Sequence, residues 1–258
     1  MKAADMFSLK GRVALVTGAS SGLGQQFARA LADNGASVVL VARRTDRIKA
    51  FAAELEKSGA EAIAVEADVT DRTAMTKAFD AAEKAFGTVT ILVNNAGIAH
   101  GARATDMSPE DWRRMLATNL DAVFFWAQEA ARRMLAANKK GSIVNIASVL
   151  GLMVAKGAVS YATAKAGVIQ LTKSLAVELA FKGVRVNAIA PGWFVTEMNH
   201  DYLMSEKGTA IKREIPMGRF GNEGDLDGAL LLLASDAGAY ITGATIVADG
   251  GQVIQIKG

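Results

Sequence analysis

The chain alternates short apolar segments, rich in β-branched residues, with longer segments whose apolar positions recur at helical spacing. Each short segment is hydrophobic almost throughout, which is typical of strands buried on both faces of a parallel sheet. These segments are 13–16, 38–41, 62–65, 89–93, 142–146, 184–189 and 244–247. Because strands and helices alternate, the pattern predicts an α/β fold, a doubly wound sheet of about seven parallel strands with helices on both faces.

Composition favours one globular domain that covers residues 1–258. Hydrophobic residues make up 51% of the chain and charged residues 21%, so a substantial core is expected. The sequence contains no linker, low-complexity stretch or internal repeat that would divide it. The formal net charge is only +3, without a basic stripe, so neither nucleic acid nor an anionic membrane is expected as a partner.

The residue types that are absent or rare restrict the chemistry. The chain has no cysteine, which excludes disulfides, thiolate catalysis and cysteine-based metal sites. The only two histidines, His100 and His200, are far apart in sequence, so no metal is expected. No apolar signal segment precedes Arg12, and apolar runs such as 229–234 are too short to span a bilayer. We therefore expect a cytoplasmic protein.

A glycine-rich turn follows the first predicted strand and begins a predicted helix. Its sequence over residues 17–24, T-G-A-S-S-G-L-G, has the spacing G-x-x-x-G-x-G. Gly18 permits the tight turn, Gly22 lets backbone approach a pyrophosphate, and Gly24 lets helix and strand pack closely. Free N–H groups at the helix N-terminus attract phosphate, so the turn predicts a nucleotide site. The other candidate contacts in this turn are Ser20, Ser21 and Leu23.

The end of the second predicted strand carries the signal for cofactor selectivity. A site selective for NAD usually has an acidic residue there, which binds the ribose hydroxyls. This chain has Arg43 and Arg44 instead. An arginine can pair with a 2′-phosphate, so the sequence predicts NADP(H). The alternative is that both arginines are solvated surface charges.

Tyr161 and Lys165 are four residues apart in a predicted helix, which places them on one face. A tyrosine has an ordinary pKa near ~10, and a neighbouring cation favours the phenolate and lowers that pKa. The pair therefore predicts a proton-transfer site. Ser148, at the end of a predicted strand, lies where the sites of α/β sheets form.

Over essentially its whole length, the chain resembles the short-chain dehydrogenase/reductase family, whose members have a Rossmann-type fold. The resemblance depends on short motifs in the family's order and spacing. They are residues 17–24, D-V-T at 68–70, N-N-A-G at 94–97, Asn119, Ser148, Tyr161 with Lys165, P-G at 191–192 with Thr196, and D-G-G at 249–251. The resemblance implies an oxidoreductase whose catalytic residues are Asn119, Ser148, Tyr161 and Lys165.

The resemblance also implies a role for each catalytic residue. Tyr161 is expected to be the general acid in carbonyl reduction and the base in alcohol oxidation. Lys165 is expected to bind the nicotinamide ribose and lower the Tyr161 pKa, while Ser148 hydrogen-bonds the substrate oxygen. Asn119 is expected to produce a local helix kink that holds a water between Lys165 and solvent.

For the cofactor, the resemblance implies that Asp68 binds the adenine amino group, with Val69 alongside. Asn94 is expected to be structural and to bond backbone within the sheet. The remaining candidate cofactor contacts are Asn95, Ala96, Gly97, Pro191, Gly192, Phe194 and Thr196, together with Tyr161 and Lys165.

The substrate pocket is expected to be largely apolar, which favours a ketone or secondary alcohol and hence a carbonyl reductase. Residues 193–215 resemble the mobile substrate lid of the family. Arg103 and Lys156 are the candidate anchors for a carboxylate. Other residues expected to face a small-molecule ligand are Ile98, His100, Trp193, Met198, His200, Tyr202 and Met204.

Three alternatives stay open. A 3-oxoacyl-carrier-protein reductase shares these motifs and needs a basic surface beside the pocket, for which Arg113, Arg114, Arg132 and Arg133 are a weak indication. A sugar-acid reductase, similar to gluconate 5-dehydrogenase, needs a more polar lining. A non-catalytic NADP-binding sensor would bind the nucleotide without turnover.

An extended apolar surface predicts self-association. Residues 123–126 are four consecutive large apolar residues that cover about 300° of a helix, more than one core-facing stripe. Together with the C-terminal residues 252–258, they predict a subunit interface. The family resemblance implies a homo-oligomer, with a tetramer favoured.

Overall fold

The computed structural model describes residues 2–197 and 199–254. Within these residues, seven parallel strands form one sheet in the order β3-β2-β1-β4-β5-β6-β7. The strands are β1 (Val13–Thr17), β2 (Ser37–Ala42), β3 (Ala62–Glu66), β4 (Ile91–Asn94), β5 (Gly141–Ile146), β6 (Val184–Pro191) and β7 (Thr245–Ala248). Each of the seven predicted segments overlaps one of these strands, so the predicted doubly wound α/β sheet is confirmed.

Helices connect the strands and cover both faces of the sheet. They are α1 (Ala3–Phe7), α2 (Gly22–Asp33), α3 (Thr45–Lys57), α4 (Arg72–Phe86), α5 (Pro109–Leu116), α6 (Ala122–Ala136), α7 (Val159–Leu179), α8 (His200–Leu203), α9 (Glu206–Arg213) and α10 (Asp227–Ala234). Among the described residues, no helix is long and apolar enough to cross a membrane.

The sheet is buried on both faces because side chains alternate along each strand. In β1, Leu15 packs against the side formed by α4, α6 and α7, whereas Val16 packs against the side formed by α2, α3 and α10. Both side chains are fully buried. The near-continuous apolar segments of the sequence are therefore explained by two cores, one on each face.

The chain order reverses beside β1. Val16 pairs with Leu40 of β2 on one side and with Val93 of β4 on the other. A crevice forms at such a switch point, outside the carboxyl ends of the strands, and ligands bind there in open α/β sheets. The glycine-rich turn after β1 and the N-N-A-G turn after β4 both lie at this crevice.

A one-turn π-helix, Ala117–Asp121, separates α5 from α6. Helix α5 has Pro109 in its first turn, and the Ser108 hydroxyl caps the helix by accepting from the Asp111 N–H at 3.0 Å. The π-turn contains Asn119, at the position expected to kink the helix. Helix distortions of this kind occur frequently at functional sites.

Residues 123–126 divide between the core and the surface of α6. Val123 and Trp126 are buried, and the Trp126 indole donates a 2.9 Å hydrogen bond to the Val69 carbonyl. Phe124 and Phe125 are half-buried on the rest of the helix surface. Both phenylalanines also pack against the core on this face of the sheet, so only the exposed part of their rings is left for a subunit contact. Of the other expected interface segment, only residues 252–254 are described; residues 255–258 lie outside the described part of the chain.

Candidate active site

A cleft of about 850 Å³ lies at the carboxyl ends of the strands, around the switch point. Every sequence-predicted cofactor residue lines it, and so do Ser148, Tyr161 and Lys165. Asn119 is fully buried behind the wall and does not line the cleft. The sequence reasoning missed other lining residues, which are Ala42, Ala67, Thr70, Ala99, Arg114, Ala117, Thr118, Ile146, Ala147, Glu197 and Asn199.

The glycine-rich turn is held against the turn that follows β4. Gly18 has φ +70°, and a Cβ there would lie 2.8 Å from Ala96 Cα, so a side chain at this position would strain the turn and collide. Asn95 Nδ2 donates to the Thr17 carbonyl at 2.9 Å. The Thr17 hydroxyl accepts from the backbone N–H groups of Asn95 and Ala96. The close approach of the two turns thus requires glycine.

The N-terminus of α2 opens onto the cleft with an arginine beside it. Ser21, the N-cap residue, makes no side-chain capping bond, and its hydroxyl accepts instead from Arg44 Nη2 at 2.5 Å. Arg44 Nε donates to the Ser20 hydroxyl at 3.1 Å. Helix N–H groups, hydroxyls and a guanidinium here form a donor set that fits phosphate. NADP(H) therefore fits the residues present at this end of the cleft.

Two acidic residues of the cleft face the two arginines. Arg43 Nη1 lies 3.5 Å from Asp68, and Arg44 Nη1 lies 3.2 Å from Glu197. Although burial acts to raise the pKa of Asp68, hydrogen bonds from the Thr70 N–H and hydroxyl, with Arg43, hold it below its ordinary value. Asp68 is therefore an ionised acceptor at neutral pH, as an adenine amino group requires.

Tyr161, Lys165 and Ser148 meet at the deep part of the cleft. Lys165 is buried, and its Nζ donates to the Ile146 carbonyl at 2.7 Å. Burial lowers the pKa of Lys165 to about 8. Burial also raises the pKa of Tyr161, while a hydrogen bond with Ser148 acts in the opposite direction. Burial outweighs the hydrogen bond, so the net shift of the Tyr161 pKa is upward, and a lowering by Lys165 together with the nicotinamide stays a prediction.

Asn119 positions the chain that follows the N-N-A-G turn. Its Oδ1 accepts from the Ile98 N–H at 2.9 Å, and its Nδ2 donates to the Ile98 carbonyl at 2.8 Å. These paired bonds fix the backbone of a residue that lines the cleft. Asn94 Nδ2 donates to the Val123 carbonyl of α6 and to Asn145 Oδ1 of β5, so its backbone partner lies in a helix and not within the sheet as expected.

Comparisons with known proteins agree with this geometry. A family model described as Enoyl-(Acyl carrier protein) reductase matches residues 18–252. The chain belongs to the short-chain dehydrogenase/reductase family. It is 41% identical to D-threitol dehydrogenase of Mycolicibacterium smegmatis, over 96% of this chain and 95% of that protein. It is also 41% identical to 3-oxoacyl-(acyl-carrier-protein) reductase of Synechocystis sp., over 96% of this chain and 100% of that protein.

A solved structure extends the comparison to the whole fold. Gluconate 5-dehydrogenase from Burkholderia cenocepacia, in complex with NADP and tartrate, matches with a TM-score of 0.94 and 36% sequence identity. The match covers 99% of this chain and 100% of that chain. The family expected from the sequence is thereby confirmed, and this short-chain dehydrogenase/reductase is an oxidoreductase.

In this family member, Asn199 organises the turn after β6, a function that the sequence reasoning missed. Its Oδ1 accepts from the Thr196 N–H at 2.8 Å and from the Thr196 hydroxyl at 3.2 Å. Its Nδ2 donates to the Phe194 carbonyl at 2.9 Å. Asn199 thus shapes the turn that carries two predicted cofactor contacts. Only the short T-x-x-N spacing could have indicated it.

The cleft wall formed by the chain segment after β4 is more polar than expected. His100 and Arg114 line it, and Asp111 lies within reach of both, 3.9 Å from His100 Nε2 and 3.3 Å from Arg114 Nη2. The Ala102 N–H donates to the Gly157 carbonyl at 3.0 Å, which ties this wall to the segment just before α7. The wall therefore lies on the Tyr161 side of the cleft.

The expected carboxylate anchors, Arg103 and Lys156, do not line the cleft. The segment 193–215 contains helices α8 and α9, and Trp193 packs against Tyr202 with ring centres 6.1 Å apart. Other expected ligand-facing residues of this segment that do not line the cleft are Trp193, His200, Tyr202 and Met204. Met198 lies outside the described residues.

Proposed function

We propose that this protein uses NADP(H) to transfer hydride reversibly between the nicotinamide and a ketone or secondary alcohol, with Asn119, Ser148, Tyr161 and Lys165 as its catalytic set. The observation that carries the proposal is the meeting of Ser148, Tyr161 and buried Lys165 in the same cleft as the Arg44 donor set. A relative of the same fold is described with bound NADP.

The residues that would hold the cofactor are spread along the cleft. The α2 N-terminus, Ser20, Ser21 and Arg44 would hold phosphate, and Asp68 would accept from the adenine amino group. The turn at Phe194 and Thr196 would hold the nicotinamide end. When bound, the nicotinamide supplies the hydride in reduction and accepts it in oxidation.

Tyr161 and Ser148 would handle the oxygen of the reacting group. Because burial raises its pKa, the Tyr161 phenol is protonated at neutral pH and suits the part of a general acid. In reduction Tyr161 would donate its phenol proton to the oxygen of the group that accepts the hydride, and Ser148 would stabilise the charge that develops on that oxygen. In oxidation both transfers reverse.

Lys165 would act from below the phenol. Since its pKa is about 8, its ammonium form is populated at neutral pH and can return a proton to Tyr161. We further propose that the π-turn at Asn119 supports this return through a water, as the family resemblance implies.

For the substrate, we propose a ketone or secondary alcohol in a carbonyl-reductase-like reaction. The polar wall of His100, Asp111 and Arg114 favours, as a second candidate, a polyhydroxylated substrate or hydroxy acid. Two relatives support that class by their names, D-threitol dehydrogenase and gluconate 5-dehydrogenase. Because another relative is named 3-oxoacyl-(acyl-carrier-protein) reductase, acyl thioesters are included among the substrates to be tested.

We also propose a single domain with residues 193–215 as its lid, a homo-oligomer and a cytoplasmic location. The half-buried Phe124 and Phe125 support self-association. A tetramer is favoured by the family resemblance alone. Light scattering at micromolar concentration measures the number of subunits, and a monomer would contradict the proposed self-association.

The test of function is initial-rate oxidation of NADPH and NADH with ketones, aldehydes, keto-sugars, keto-acids and 3-oxoacyl thioesters. We expect turnover with NADPH, and a loss of about a hundredfold or more in Tyr161→Phe. Turnover with NADH alone would overturn the cofactor assignment. Binding of NADPH with no turnover across the panel would favour the sensor alternative.

A further inference from the structure

Glu197 forms ion pairs with Arg44 and Arg47, and Arg44 also belongs to the proposed nucleotide end of the cleft. Its carboxylate lies 2.7 Å from Arg47 Nη1 through both oxygens, and 3.2 Å from Arg44 Nη1. Glu197 follows Thr196 directly and lines the cleft. It therefore links the turn after β6 to the start of α3, across the cleft mouth.

Arg44 is shared between this carboxylate and the glycine-rich turn. Its Nε and Nη2 donate to the Ser20 and Ser21 hydroxyls, while its Nη1 faces Glu197. Hydrogen bonds from Arg47 and Arg44 lower the pKa of Glu197, so its carboxylate is charged at neutral pH. A 2′-phosphate bound near Arg44 would meet a guanidinium that is already partly neutralised.

The electrostatic consequence depends on whether the nucleotide carries that phosphate. A phosphate monoester bears more negative charge than a carboxylate, and like charges that share one cation repel. A nucleotide with only ribose hydroxyls at this position meets no such repulsion.

We propose that Glu197 is a cofactor-selectivity residue that opposes the 2′-phosphate and thus reduces the preference for NADP(H) over NAD(H) below what Arg43 and Arg44 alone would give. This inference rests on the proposed nucleotide site and concerns its selectivity.

The test measures binding rather than turnover. Dissociation constants for NADPH, NADH, 2′,5′-ADP and 5′-AMP are measured by calorimetry for the unmodified protein and for Glu197→Gln. Glu178→Gln, which removes the same charge from an exposed position in α7 that does not line the cleft, is the matched control. Binding of NADPH to the unmodified protein tests the proposed function separately.

We expect Glu197→Gln to tighten NADPH and 2′,5′-ADP by about threefold, the size of one exposed ion pair, and to leave NADH and 5′-AMP unchanged. The gain should shrink at high salt and vanish when Arg44→Gln is added. Equal tightening of NADPH and NADH, no change in either, or weaker NADPH binding would overturn the inference. The last result would mean that Glu197 positions Arg44 for the phosphate.

Discussion

Lys165 Nζ lies 5.7 Å from the centre of the Tyr161 ring and donates a 2.7 Å hydrogen bond to the Ile146 carbonyl. The lysine is thus held below the phenol by the end of β5. A buried ammonium with a carbonyl partner is still costly, which is why burial lowers its pKa to about 8 from the ordinary 10.5.

This shift predicts a pH dependence of stability. Unfolded Lys165 keeps its proton up to about pH 10.5, whereas folded Lys165 loses it near 8, so the unfolded state binds more protons between these values. The free energy of unfolding should therefore rise with pH across this window, and this group should contribute about 2 kcal/mol of the rise between pH 7.5 and 9.5. Denaturant titrations from pH 7.5 to about 9.5 measure it.

The contribution is isolated by comparing variants. Lys165→Met should lack this part of the pH dependence, while Lys173→Met, at an exposed position of the same helix, should retain it. The titration stops below pH 10 because Tyr161 has the opposite effect at higher pH. Its phenol ionises in the unfolded state before it does in the folded state, so the free energy of unfolding falls there as pH rises. Parallel curves for the unmodified protein and Lys165→Met would contradict the prediction.

The glycine at 221 is expected to control the nicotinamide end of the cleft. Gly221 N–H donates to the Trp193 carbonyl at 2.8 Å, and a Cβ at Gly221 would overlap the Phe194 ring. Gly221→Ala should displace the turn at Phe194, destabilise the protein by about 1–3 kcal/mol and raise the NADPH Michaelis constant. Thermal unfolding and initial rates measure the two effects.

The matched control is Gly228→Ala, in α10, where a Cβ would meet nothing within 4 Å. Alanine is favoured over glycine in a helix, so this variant should be neutral or more stable by about 0.5 kcal/mol. If both alanine variants behave alike, Phe194 does not depend on the space at Gly221.

The elements of this fold could be predicted from the sequence because the strands are mostly apolar and the turns after β1 and β4 have glycine and asparagine motifs. The family resemblance supplied the candidate catalytic residues, and Arg43 and Arg44 were found because they occupy the place where an NAD site has an acidic residue. Asn199 could not be found in the same way, because its bonds to the Phe194–Thr196 turn exist only after the chain folds.

The pKa shifts of Tyr161 and Lys165 could not be predicted from the sequence either. The i, i+4 spacing placed Tyr161 and Lys165 on one face, but it carried no information on burial. Desolvation then set both pKa values, raising that of Tyr161 and lowering that of Lys165. Likewise, His100 and Arg114 line the same wall only because the fold places α5 beside the segment after β4, a contact that no local pattern specifies.

The cofactor assignment predicts a selective effect of Arg43→Asp. Reversing this charge beside a 2′-phosphate should raise the NADPH Michaelis constant about tenfold or more, and the NADH value much less. Initial rates with both nucleotides and one substrate measure it. Lys49→Asp, an exposed charge reversal in α3, is the control and should change neither value. Equal effects of Arg43→Asp on both nucleotides would refute the assignment.

The polar wall predicts that the adjacent residues Arg113 and Arg114 differ in their effect on the Michaelis constant of a polar substrate. Arg114 lines the cleft, while its neighbour Arg113 faces Glu110 at 3.8 Å and does not line it. If the substrate is polyhydroxylated or a hydroxy acid, Arg114→Ala should raise its Michaelis constant about tenfold because a charged hydrogen bond is lost. Arg113→Ala should leave that constant unchanged. The comparison uses the best polar substrate of the panel together with a simple ketone, whose Michaelis constant should not respond to either change. A matching loss for the simple ketone would mean that Arg114 supports the cleft wall, and an acyl thioester sensitive to both arginines would point to a carrier-protein surface instead.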